Sequence, residues 1–115
     1  MKLQLDGQHL RLRIDESELA ALRAGATLEN VTTLGVHPWR QTLRQTGAIA
    51  PVLEADTGSC AIGIPKFLID AYAARLPCRE GLSLSLQPTT GAVLDVVLEV
   101  DVRDSVRTRG PRRAL

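Results

Sequence analysis

Aromatic side chains are scarce: Trp39, Phe67 and Tyr72 are the whole set in 115 residues. Surfaces that read nucleic acid by stacking bases on rings are therefore disfavoured, and Leu, Ile, Val and Ala must fill the core. Cysteine is as sparse. Cys60 and Cys78 make no disulfide framework. Neither they nor His9 and His37 sit at a C-x-x-C or H-x-x-x-H spacing, so no metal is expected. A glycine-rich loop of the Walker or dinucleotide kind is missing, and with it a cradle for phosphate. No apolar run approaches the roughly 18 residues that cross a bilayer. Met1 to Asp6 alternates polar with apolar residues, unlike the apolar stretch of a signal peptide. We expect a soluble cytoplasmic protein with reduced thiols, no membrane partner and no cofactor.

What is present suits one small folded domain. Hydrophobic residues make up 44% of the chain, enough for a single modest core. Net charge is +1, but the charge is unevenly placed. Residues 103–115 carry five Arg and one Asp, while residues 1–102 carry nine basic and twelve acidic side chains. The pattern predicts a domain over 1–102 and a basic flexible tail over 103–115.

The chain then reads in order. Leu3 and Leu5 alternate up to an Asp6-Gly7 turn, and Leu10, Leu12 and Ile14 alternate with Arg11 and Arg13, which predicts a hairpin. Asp15, with Glu18 three residues on as a capping-box partner, can open a short helix that Gly25 ends, and Ser17 is an alternative cap. Thr27 to Val36 is β-branched and predicts a strand, broken by His37-Pro38. Arg40 to Thr46 is a polar strand with little to bury, expected at a sheet edge. Gly47 to Pro51 connects to a second hairpin turning at Asp56-Thr57-Gly58, in which Cys60, Ile62 and Ile64 point inward. Pro65 suits the first position of a helix whose apolar face is Leu68, Ile69, Tyr72 and Leu76, with Pro77 as its stop. Leu82, Leu84 and Leu86 form a strand, Pro88 to Gly91 a turn, and Leu94 to Val102 the longest alternation in the chain.

At an offset of fifty residues the two halves run in parallel: Leu3 with Leu53, Asp6 with Asp56, Leu12 with Ile62, Ile14 with Ile64, Leu19 with Ile69 and Leu22 with Tyr72. The same offset aligns Leu34 with Leu84, Val36 with Leu86 and Pro38 with Pro88. We therefore expect an α+β, mainly β fold: a small barrel-like body of two pseudo-symmetric strand-strand-helix-strand-(strand) repeats, about 1–50 and 51–102. Two halves with one-sided apolar faces bury them against each other, and closure would remove most edges.

From Gly58 to Leu86, the strand, Ile64-Pro65-Lys66, the helix and the loop Gly81 resemble the swapped-hairpin barrels of bacterial transition-state regulators and their duplicated cell-division relatives. Leu82 stands where that family usually has an acidic residue, and in the first half Asp15-Glu16 replaces Pro-Lys. Lys2 to Gly7, Leu10 to Arg13, Ser17-Glu18-Leu19 and the Leu94 to Asp101 strand resemble more closely a family of small uncharacterised bacterial proteins, a domain of unknown function. That second resemblance implies a fold and supplies no catalytic residue.

Candidate chemistry is thin. Cys78 beside Arg79 is a loop thiol whose neighbour could lower its pKa, but no nucleophile elbow or orienting acid accompanies it. Asp95, Glu99 and Asp101 share a strand face, the ordinary place for solvated carboxylates. Arg11, Arg13, Arg40 and Arg44 in the body and Arg107, Arg109, Arg112 and Arg113 in the tail are candidate phosphate contacts. Trp39 follows a proline in an expected turn: exposed, it marks a partner contact, and folded back it is a lid on the core. The preferred expectation is a non-enzymatic binding or assembly module that engages a protein partner or a second copy of itself. The alternative is a transcription-regulator-like DNA-binding protein, and an enzyme using Cys78 comes last.

Overall fold

The computed structural model describes residues 1–87 and 91–102. The chain runs β1 (Lys2–Asp6), β2 (His9–Asp15), α1 (Glu16–Arg23), β3 (Leu28–Leu34), β4 (His37–Thr46), β5 (Val52–Ala55), β6 (Ser59–Pro65), α2 (Lys66–Ala74), β7 (Leu82–Leu86) and β8 (Leu94–Asp101). These strands form two four-stranded sheets, ordered β1-β2-β8-β7 and β3-β4-β6-β5. Each sheet joins two antiparallel hairpins through one parallel contact, β2 with β8 and β4 with β6.

Closure into a barrel is not seen among the described residues. β1 and β7 remain the edges of one sheet, β3 and β5 of the other. The inward faces of both sheets and the two helices feed one core cluster, so the apolar surface is buried without a closing ladder.

Local sequence explains most elements. In β2, Leu10, Leu12 and Ile14 are buried while Arg11 and Arg13 stay exposed. Asp6 pairs with His9 across a loop of Gly7 and Gln8. Gly7, at φ 57, is its one positive-φ residue, as a turn of type II′ requires. α1 starts with a complete capping box: Asp15 Oδ1 accepts from the Glu18 amide at 2.7 Å, and Glu18 Oε1 accepts from the Asp15 amide at 3.1 Å. Such a cap contributes about 1 kcal/mol. α1 buries Leu19 and Leu22, and α2 buries Ile69 and Tyr72. Pro65 closes β6 and sits at the N-cap of α2, one residue before the first helical position. The helices are tied by Arg23 Nε and Asp70 Oδ1 at 3.1 Å, and Lys66 reaches the other Asp70 oxygen at 3.0 Å. Hydrogen bonding from Lys66, then from Arg23, holds the Asp70 carboxyl below its usual range. The Tyr72 hydroxyl accepts from the Val100 amide at 3.2 Å. The β7–β8 ladder has stopped at Leu82 and Leu98, so the phenol satisfies the strand beyond it.

Two features of the β3–β4 region differ from expectation. His37-Pro38 does not break the chain but opens β4. Arg40 donates its amide to the Gly58 carbonyl, so even-numbered residues of β4 face β6. Pro38 faces the same way, but the paired register of β6 starts only opposite Arg40, so the missing N–H removes no ladder bond. The Arg40–Thr46 strand is not an edge either: it lies between β3 and β6. Its alternation buries Gln41, Leu43 and the Gln45 amide oxygen and sets Arg40, Thr42, Arg44 and Thr46 on the opposite face, an arrangement that an interior strand of a one-sided sheet tolerates. The expected turn at Pro88 to Gly91 and the tail over 103–115 lie outside the described residues, Gly91 apart.

Candidate functional site

Strands β3 and β4 form a hairpin longer than the sheet that carries it. β4 pairs with β6 only from Arg40 onward, whereas it pairs with β3 from His37. Thr32 to Trp39 is therefore a two-stranded arm, exposed along its length. Its turn is Gly35-Val36, with Gly35 at φ 64 between the paired Leu34 and His37. A Gly followed by one residue is the type II′ signal, and it was there to be found in the sequence.

Alternation sorts the arm into two faces. Thr32, Leu34, His37 and Trp39 continue the face that carries the buried pair Leu28 and Leu43. Val31, Thr33, Pro38 and Arg40 lie on the other. Leu34 is 61% exposed, Val36 86% and Trp39 36%. Trp39 is thus a strand residue opposite Thr32, neither in a loop nor a lid over the core. Leu34 is its diagonal neighbour, a spacing at which large side chains still touch. Between arm and core lies a polar pair: Asn30 Nδ2 donates to Gln41 Oε1 at 3.0 Å, and Gln41 is almost fully buried.

The four candidate arginines of the body are all engaged. Arg11 Nε and Arg13 Nη2 meet the two oxygens of Glu99 on β8, at 2.7 and 3.5 Å. Arg40 pairs with Glu29 across the hairpin, and Arg44 reaches Glu54 at 3.8 Å. The structure separates them: Arg11 and Arg13 lie on one sheet, Arg40 and Arg44 on the other. Exposed pairs of this kind contribute little to stability, but each one offsets a charge that a phosphate would otherwise meet. Arg107, Arg109, Arg112 and Arg113 lie outside the described residues.

The outer face of the β1-β2-β8-β7 sheet holds an open concavity of about 670 Å³. Gln4, His9, Arg11, Ser83, Ser85 and Asp95 line it. His9 Nδ1 stands 3.8 Å from Asp95 Oδ2. Among the described residues no group of three or more His, Cys, Asp or Glu could hold a metal ion. The thiols are ordinary. Cys60 is half-buried, and burial pushes its pKa up. Cys78 is exposed, and its Sγ donates to the Glu80 carbonyl at 2.9 Å. Asp56, in the second hairpin turn, accepts from the amides of Gly58 and Ser59, both at 2.8 Å. These bonds, that from Gly58 foremost, hold its carboxyl below the usual range.

Among the described residues no helix is long and apolar enough to cross a membrane. No family model, no curated protein and no solved structure matches the chain.

Proposed function

We propose that the chain is a non-enzymatic binding or assembly module, built from two copies of one small unit, that contacts its partner through the β3–β4 arm. The observation that carries this is the arm itself: Leu34, Val36 and Trp39 stand exposed on a hairpin that outruns its sheet. Exposed apolar side chains gathered at one place mark interaction sites more often than scattered ones do.

Register supports the duplication. Leu12 pairs with Leu98 in one sheet as Ile62 pairs with Leu43 in the other. Leu3 pairs with Leu12 as Leu53 pairs with Ile62. Six core positions then correspond: Leu12 and Ile62, Ile14 and Ile64, Leu19 and Ile69, Leu22 and Tyr72, Leu28 and Leu82, Leu43 and Leu98, all buried. The offset is fifty through the helices but fifty-five by the last strands. Leu34 with Leu84 and Val36 with Leu86 are therefore not the structural partners, and the pairing of Pro38 with Pro88 falls outside the described residues. The β3–β4 hairpin of the first half joins the sheet of the second, and β7–β8 the sheet of the first. That exchange agrees with the resemblance to swapped-hairpin regulators. The DNA-binding alternative gains nothing from the body, whose candidate arginines face carboxylates, and it rests on the tail.

The test is a photo-crosslinking residue placed at Val36 in cells, with Phe67 on α2, also an exposed apolar residue, as control. A discrete adduct from position 36 and none from position 67 is expected. No adduct at 36, or the same adducts at both positions, would overturn the assignment of the arm.

A further inference from the structure

Resting on that reading, we propose that the partner is a second copy of this chain, paired antiparallel along β3 about a two-fold axis through Val31. β3 is an edge of its sheet. Because the Arg40 amide points to β6, the pair Val31 and Arg40 exchanges no ladder bonds within the hairpin. Val31 therefore turns its own amide and carbonyl to the open edge, and Glu29 and Thr33 do the same. An axis at Val31 matches these groups to their copies and uses the whole strand, giving about six main-chain hydrogen bonds.

Side chains fit the same axis. Leu28 falls opposite Leu34 of the second copy, Asn30 opposite Thr32, and Val31 opposite itself. Glu29, the one charge in β3, falls opposite Thr33 and is already matched by Arg40. Moving the axis to Glu29 would set carboxylate against carboxylate. Nothing in β3 guards the edge: it has no Lys, no Pro and no break in register. The pairing also sets Leu34 of each copy beside the Leu28–Leu43 core row of the other, so exposed apolar surface at the arm is covered by apolar surface. β7 is likewise an uncharged edge, but it is shorter and its Leu82 and Leu86 are sunk in the core, which leaves less for a partner to cover.

One strand pair and a few apolar side chains make a small interface, so dissociation in roughly the micromolar range is expected. Sedimentation velocity of the full chain over about 1 to 200 µM tests this. The wild type should pass from monomer to dimer. Val31→Pro removes an edge donor without touching the bonds to β4, and Val31→Lys places two ammonium groups at the axis. Both should stay monomeric, with unchanged far-ultraviolet circular dichroism for the lysine variant. A wild type that is monomeric throughout, or a folded Val31→Lys that dimerises as tightly as wild type, would overturn the proposal. If the wild type is monomeric while position 36 still crosslinks to a different protein, self-pairing falls and the module stands. If position 36 crosslinks to nothing, the module itself falls.

Discussion

Gln41 is the sharpest energetic oddity of the core, and removing it should stabilise the protein. It is 4% exposed, its Oε1 accepts from Asn30, and its Nε2 has no partner. A buried amide left without a hydrogen bond costs about 1–3 kcal/mol. In the other sheet, two residues along from the Leu82–Leu98 pair and on the same face, stand Leu84 and Val96. Copying that chemistry as Asn30→Leu with Gln41→Val removes the orphan donor, forfeits one neutral hydrogen bond of about 1 kcal/mol and adds about 1–2 kcal/mol of apolar burial. The net expectation is about 2 kcal/mol of added stability, or roughly 10 °C in Tm for a domain of this size. Asn30→Leu alone should go the other way. It strands both ends of the buried Gln41 amide, at a cost of about 1–2 kcal/mol. Urea unfolding followed by far-ultraviolet circular dichroism, compared at constant m, measures all three proteins. A double variant less stable than wild type, or an Asn30→Leu variant as stable as wild type, would show that the amide is satisfied and refute the reasoning.

Two further expectations follow from single side chains. Tyr72→Phe deprives the Val100 amide of its partner and should cost about 1–2 kcal/mol. Burial raises the Tyr72 pKa, so the folded state holds the phenolic proton more tightly than the unfolded one. That contribution is complete below about pH 10, the ordinary phenol value, and is lost as pH climbs above it. Wild-type stability should therefore fall more steeply in that alkaline range than that of Tyr72→Phe, and equal slopes would count against the burial argument. For the thiols, native-state titration with a disulfide reagent at neutral pH should modify Cys78 first. Cys60, half-buried and harder to ionise, should lag by about tenfold or more, and equal rates would contradict its placement.

Local chemistry made much of the secondary structure legible. The capping box at Asp15 and Glu18, the alternations of β2, β6 and β8, and the Asp56 turn each depend on residues within a few positions. The candidate site was legible only in part. Trp39 was singled out, but through a proline read as a breaker, whereas Pro38 sits where no ladder bond is required of it. Leu34, Val36 and the open edge of β3 were passed over, because exposure and edge position depend on which strands stand alongside. The polarity of Arg40 to Thr46 suggested an edge, yet sheet order places that strand inside and leaves the more apolar β3 at the rim.

The sequence by itself determined a single small, mainly β chain with two short helices, the inward faces of its strands and the residues that cap its turns. Each of those depends on neighbours within a turn or a ladder step. Tertiary structure alone decided that β3–β4 joins β5–β6 while β7–β8 joins β1–β2, that the two sheets share one core, and that Arg11, Arg13, Arg40 and Arg44 each meet a carboxylate. Strand pairing across tens of residues leaves the alternation of apolar side chains unchanged whichever partner is chosen. The choice is made by the packing of the whole core.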